Sequence, residues 1–98
     1  MKDAEKFINA VNKYFGKEFD VDNVVHHNTY EFSDFFKENI LYRLLGNPYG
    51  TVNSEEAAEF MMEFEEKTGF NLVEEFSRMS NSFIQMLLVY NDAFGIWG

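Results

Sequence analysis

Apolar residues recur at intervals of three and four positions through most of the chain, and this period favours amphipathic helices. In the first such run, residues 3–15, Phe7, Ile8 and Val11 fall on one face and charged or amide residues fall opposite. Gly16 follows directly, and glycine is the residue that most readily ends a helix in the left-handed conformation. The pattern predicts a first helix that buries one side and stops at Gly16.

Three further helices are predicted downstream. One begins between residues 28 and 33 and ends near Leu45, before the turn at residues 46–50 that contains the only proline. The next begins with Ser54 as its N-cap and ends at Gly69. The last begins with Asn71 as its N-cap and continues to about residue 94. Residues 17–28 suggest turn chemistry and are compatible with either a short helix or an extended segment.

The last predicted helix is apolar on nearly every side, since Gln85 is the only polar residue between Phe83 and Tyr90. A helix of this kind is usually the central one, although a buried strand over the same residues is a competing interpretation. The 98 residues include 12 phenylalanines, enough apolar material for one core, and no repeat or linker divides them. We therefore predict an all-α, compact single domain over residues 1–98: a four-helix arrangement with a central C-terminal helix.

The composition excludes several classes of protein. The chain has no cysteine, which excludes disulfide scaffolds, cysteine-based zinc sites and thiol nucleophiles and is consistent with a reducing compartment. The N-terminal residues alternate charged and apolar side chains, unlike a signal peptide. The longest apolar run near the C-terminus, residues 86–90, is far shorter than the roughly 20 residues of a membrane span. We expect a cytoplasmic protein that does not enter a membrane.

The negative charge is concentrated in one part of the chain. The net charge is −9, and residues 54–75 alone carry eight glutamates against one lysine. A strongly negative chain repels nucleic acids and anionic membranes and attracts basic proteins. The charge therefore predicts a basic protein partner and no direct contact with nucleic acid.

Four of these glutamates are spaced so that a helix aligns them. They recur at intervals of four, four and three residues and are Glu55, Glu59, Glu63 and Glu66. On a helix each four-residue step is about 6 Å, and like charges this close destabilise it. No lysine or arginine relieves the row before Lys67, which favours a partner-binding face that also includes Glu56. The alternative interpretation is an ordinary solvated helix face.

Two aromatic residues outside the predicted helices are further candidates for partner contact. Tyr49 lies in the proline turn and Trp97 is one residue from the end of the sequence. Tyrosine and tryptophan are enriched among residues that dominate binding energy, although Trp97 could instead fold back onto the core. The predicted partner-binding set is Glu55, Glu56, Glu59, Glu63, Glu66, Tyr49 and Trp97.

No motif in the sequence indicates catalysis, a metal or a cofactor. The two histidines, His26 and His27, are adjacent, and neighbouring side chains on a helix point about 100° apart, so they rarely share a metal. The glycines of residues 46–50 are not followed by the lysine of a phosphate loop. We predict a protein that is not an enzyme. A small metal-dependent or hydrolytic enzyme is the remaining alternative, and its activity would depend on the two histidines.

In size, acidity and lack of catalytic motifs the chain is similar to small protein inhibitors of nucleases. These include immunity proteins, antitoxins and phage anti-restriction or anti-CRISPR proteins, some of which act as nucleic-acid mimics. The resemblance is one of composition and transfers no individual residue. It implies a non-catalytic inhibitor that covers the basic surface of a nuclease or another nucleic-acid enzyme. The alternative is a structural or regulatory subunit of phage or mobile-element origin that binds through exposed aromatics.

Overall fold

The computed structural model describes residues 2–46, 53–78 and 80–93, with side chains as far as residue 90. These residues form six helical segments and no strand, in a compact body with a radius of gyration of 12.8 Å. The helices are α1 Lys2–Phe15, α2 Val21–His26, α3 (Thr29–Phe36, a π-helical turn Lys37–Leu41, and Tyr42–Leu45), α4 Ser54–Thr68, α5 Leu72–Arg78 and α6 Ser82–Ala93. The predicted all-α, compact domain is confirmed, whereas the arrangement of four helices is not. Over the described ranges, none of the helices combines the length and apolar character needed to cross a membrane.

Glycines end three of the helices as the sequence predicts. Gly16 after α1, Gly46 after α3 and Gly69 after α4 all have positive φ angles, of 66°, 84° and 78°. This conformation costs a residue with a Cβ atom more than it costs glycine. The helix ends are therefore determined locally.

The N-cap of α4 is one residue earlier than predicted. The side-chain oxygen of Asn53 accepts hydrogen bonds from the backbone N–H groups of Glu55 and Glu56, at 3.0 and 3.1 Å. Ser54 is instead the first residue of the helix. Both residue types are good caps, so the sequence pattern alone does not separate the two positions.

Residues 17–28 resolve into a loop and the short helix α2. Asp20 caps α2 by accepting the backbone N–H of Asn23 at 2.8 Å. The Asn12 side chain on α1 holds the loop in place through two hydrogen bonds of 2.9 Å. Its Nδ2 donates to the backbone carbonyl of Phe19, and its Oδ1 accepts from the Phe19 N–H. These two bonds direct the chain from α1 back along the core.

The predicted fourth helix is two helices, and the strand interpretation of residues 83–90 is wrong. α5 ends at Arg78, and α6 begins at Ser82 with Asn81 as its cap. The side-chain oxygen of Asn81, a buried residue, accepts the N–H groups of Phe83 and Ile84 at 3.0 and 3.1 Å. This cap satisfies backbone donors that a continuous helix would have used within itself.

The predicted central position of the C-terminal helix is not confirmed, because α6 contacts α1 and α3, whereas α3 contacts α2, α4 and α6 and also meets α1 and α5 through its phenylalanine rings. α1 contacts α2, α4 and α6. α6 buries Phe83, Ile84 and Leu87 on one side but leaves Met86 and Val89 exposed on the other. The apolar composition of α6 therefore reflects an apolar surface as well as a buried face.

Phenylalanine rings join the helices at the centre of the core. The ring of Phe7 on α1 is fully buried. Its centroid lies 5.9 Å from that of Phe32 and 5.6 Å from that of Phe36, both on α3 and both edge to face. It also lies 5.2 Å from Phe70 in the turn between α4 and α5. Aromatic pairs in such geometries add to the stabilisation from buried area. One side chain thus connects three parts of the fold.

Replacing Asn81 by alanine should destabilise the protein through the start of α6. The change removes the cap, and loss of a cap costs about 1–2 kcal/mol in the free energy of unfolding. For a domain of this size that corresponds to a fall in melting temperature of roughly 5–15 °C, measurable by circular dichroism. Asn81→Ser is the matched control because serine can still cap. Equal losses for both variants would show that the cap is not the stabilising interaction.

Candidate functional site

The predicted glutamates lie on the exposed side of α4. This helix buries Ala57, Phe60 and Phe64 on the side that meets α1 and the end of α3. Glu55, Glu56, Glu59, Glu63 and Glu66 are all exposed. The helix itself follows from the Asn53 cap and from the acidic first turn, where the helix dipole favours negative charge. The structure therefore brings all five predicted glutamates to one surface of the domain.

Glu63 differs from the other four because it is already paired. Its carboxylate lies 2.7 Å from the ammonium group of Lys67, one turn along the helix. The hydrogen bond from Lys67, followed by the lysine charge, holds the pKa of Glu63 below its ordinary value; Tyr14 and Arg43 contribute further. The same contact raises the pKa of Lys67. Glu63 is consequently a weaker candidate for partner contact than the sequence suggests.

The cations beside Glu63 rest on aromatic rings. The guanidinium of Arg43 lies 4.9 Å from the centroid of Phe60, and the ammonium of Lys67 lies 5.3 Å from that of Tyr14. Cations over ring faces are stabilised by the quadrupole of the ring. Arg43 was not predicted to belong to this face, since it is twenty positions before Glu63 in sequence and reaches it only because α3 packs against α4. One flank of the glutamate row is therefore neutralised.

The side of α4 opposite the buried residues carries a stripe that differs from the predicted glutamate row, because Met62 takes the place of Glu63. Its spacing is four, three and four residues, and its members, here called the outer stripe of α4, are Glu55, Glu59, Met62 and Glu66. Met62 is 72% exposed, the largest value among the exposed large apolar residues of the described chain. Met62 and Phe60 are both apolar, but only Phe60 lies on the buried side of α4. The spacing distinguishes the two residues, because Met62 is three residues from the exposed Glu59 and Phe60 is four residues from the buried Phe64.

The remaining candidates are two aromatic residues and the two histidines. Tyr49 and Trp97 lie outside the described residues. His26 is exposed on α2, with its Nε2 3.8 Å from Asp22 Oδ1. The rings of His26 and His27 are 6.5 Å apart. Within the described ranges, no three histidine, aspartate or glutamate side chains come together as metal ligands would.

The fold and the site define a small all-α domain with an acidic helix face interrupted by one exposed methionine. Comparisons with protein-family models, with curated proteins and with solved structures each give no match. The functional proposal therefore depends on the face itself.

Proposed function

We propose that this chain is a non-catalytic, cytoplasmic inhibitor whose acidic α4 face binds the basic surface of a nuclease or another nucleic-acid enzyme. The observation that carries the proposal is the uncompensated charge of α4. Glu55, Glu56, Glu59, Glu65 and Glu66 are exposed, and no ion pair in the described part of the chain includes them. A helix face optimised for stability would alternate charge signs.

A line of carboxylates suits a surface that normally holds phosphates. Along the outer stripe of α4, the first two glutamates are about 6 Å apart on the helix axis, a coarse counterpart of a phosphate strand. Lysine and arginine side chains that neutralise phosphates would also pair with these carboxylates. The complementary electrostatic potentials of the two proteins would speed their association. Binding of this kind would block the nucleic-acid site without any chemistry on the inhibitor.

Capture from a native lysate at low and high salt, followed by competition with DNA, tests this function. We expect the immobilised chain to retain nucleic-acid-binding proteins at low salt and to release them at high salt, since exposed charge contacts are screened. Excess double-stranded DNA should displace the same proteins because it occupies the same surface. Capture that neither salt nor DNA reduces would contradict the proposal.

A second candidate function is supported by the exposed apolar surface of α6. Val89 is 64% exposed, and Met86, on the same helix, is also exposed. Exposed apolar surface is typical of protein interaction sites, and it would suit a structural or regulatory subunit. In the same experiment, a partner retained at high salt and lost on Val89→Lys would favour this candidate over the inhibitor.

A further inference from the structure

A stripe of lysines runs along the outer face of α1. Its members, here called the lysine stripe of α1, are spaced four, three and four residues apart and are Lys2, Lys6, Asn9 and Lys13. Two neighbouring grooves share Lys6 and Asn9 in their walls, so the stripe lines one continuous surface, with Asp3 and Glu5 beside its first turn. None of its three lysines takes part in an ion pair within the residues that the structure describes. The acids balance the lysines in the groove at the start of α1, whereas the groove between Lys6 and Lys13 has no acidic residue in its wall and is locally positive.

The lysine stripe of α1 and the outer stripe of α4 have the same spacing with opposite charges. Lysines occupy the first, second and fourth positions of one stripe, and glutamates occupy the same positions of the other. At the rise of an α-helix, the charges of both stripes lie at about 0, 6 and 16.5 Å along the axis. Two such helices side by side and parallel would place every lysine opposite a glutamate.

The third position of each stripe also matches. On α4 it is the exposed Met62, and on α1 it is Asn9, which lines a groove of about 220 Å³. Buried Ala10 and Phe70 add apolar surface to this groove, and Lys6 and Lys13 lie in its wall. In the parallel alignment the methionine of one copy therefore faces a partly apolar groove between two lysines of the next.

We propose that copies of this chain associate head to tail, with the lysine stripe of α1 in one copy against the outer stripe of α4 in the next. The antiparallel alignment is less favourable, since it sets Met62 against Lys6 and Glu59 against Asn9. The contact joins two different surfaces, so it produces rings or open chains of copies. It covers the face that the proposed function uses, so a basic partner would compete with the next copy. The association itself does not depend on that function.

Sedimentation velocity of the full chain at several concentrations measures the association directly. At about 20 mM salt we expect a weight-average mass that rises with concentration above the 11.6 kDa of one chain. At about 500 mM salt the mass should return to that of one chain, because the ion pairs are exposed and screened. A chain that stays at 11.6 kDa at low salt and high concentration overturns the proposal.

Charge swaps identify the two surfaces. K6E/K13E on α1 and E59K/E66K on α4 should each reduce the association constant roughly tenfold or more, since attraction is replaced by repulsion. The chain with all four changes keeps the net charge of −9 and should associate as the wild type does. An equal mixture of the two single-face variants should also associate. Association that survives either single-face variant, or that the fourfold swap fails to restore, contradicts the proposed contact.

Two further variants separate this contact from general charge effects and from partner binding. M62S changes no charge and should weaken association, because it removes the side chain that faces the groove; unchanged association would show that Met62 is not in the contact.

K6E/K13E leaves α4 intact and should retain any partner captured through the acidic face. If K6E/K13E loses association but retains capture, the self-contact is separate from partner binding. If E59K/E66K loses capture while K6E/K13E retains it, the result supports the proposed function.

Discussion

Replacement of Phe7 by alanine is expected to lower the free energy of unfolding by about 3–5 kcal/mol, the largest effect of any single change considered. The Phe7 side chain is fully buried and its ring contacts Phe32, Phe36 and Phe70, so its removal leaves a cavity that three parts of the fold would have to fill. A domain of this size has a total stability of roughly 5–15 kcal/mol. Urea unfolding followed by circular dichroism measures the loss as a lower midpoint with an unchanged slope.

Met62→Ala is the matched control for this prediction. It removes a large apolar side chain from a helix, as Phe7→Ala does, but the side chain is 72% exposed. Its effect on unfolding should stay within about 0.5 kcal/mol, as is usual for surface positions. If Phe7→Ala cost no more than Met62→Ala, the three-ring contact would not be the centre of the core.

Reversal of two charges on the outer stripe of α4 should weaken partner binding by about a hundredfold or more. The variant is Glu55→Lys with Glu59→Lys, which places two lysines against a basic surface, and like charges brought together at an interface cost several kcal/mol. A factor of ten in affinity corresponds to about 1.4 kcal/mol. Affinity for a captured partner, measured by calorimetry or biolayer interferometry at increasing salt, gives the loss directly.

The matched control reverses two glutamates elsewhere on the surface. Glu18 lies between α1 and α2 and Glu38 lies on α3, and both are exposed without an ion pair among the described residues. Each reversal adds two charges, so Glu18→Lys with Glu38→Lys shifts the net charge from −9 by the same four units. We expect this control to weaken binding less than about threefold, since the remaining effect is long-range and screened. Equal losses in both variants would mean that only the net charge matters.

Local signals predicted the helices well because helix formation depends on neighbours in sequence. The apolar period of residues 3–15 and the stop at Gly16 reappear in α1 and its end. The Asn71 cap is also present, since its side-chain oxygen accepts the Glu74 N–H at 2.8 Å. In each case the interacting groups lie within four residues of one another, where the sequence pattern is informative.

The break between α5 and α6 was not predicted, although the Asn81 cap at the start of α6 is a local signal. The apolar stripe continues across residues 79–81 without a glycine or proline, so the periodic pattern favours one helix. The start of α6 is instead joined to α1, because the Ser82 N–H and hydroxyl both donate to the Asp3 carboxylate, at 3.3 and 3.1 Å. That contact spans 79 residues of sequence, and its stabilisation does not appear in any local pattern.

By itself, the sequence determined the helical class of this protein and the concentration of its negative charge in residues 54–75. Only the tertiary structure decided which groups from other helices lie beside those glutamates. Glu63 pairs with Lys67 within α4, and packing adds Tyr14 from α1 and Arg43 from α3, whereas Glu55, Glu59 and Glu66 have no ion pair among the described residues and Met62 lies between them. The physical reason is that a charge is compensated by whatever lies within a few ångströms in space, and packing brings those groups from distant parts of the chain.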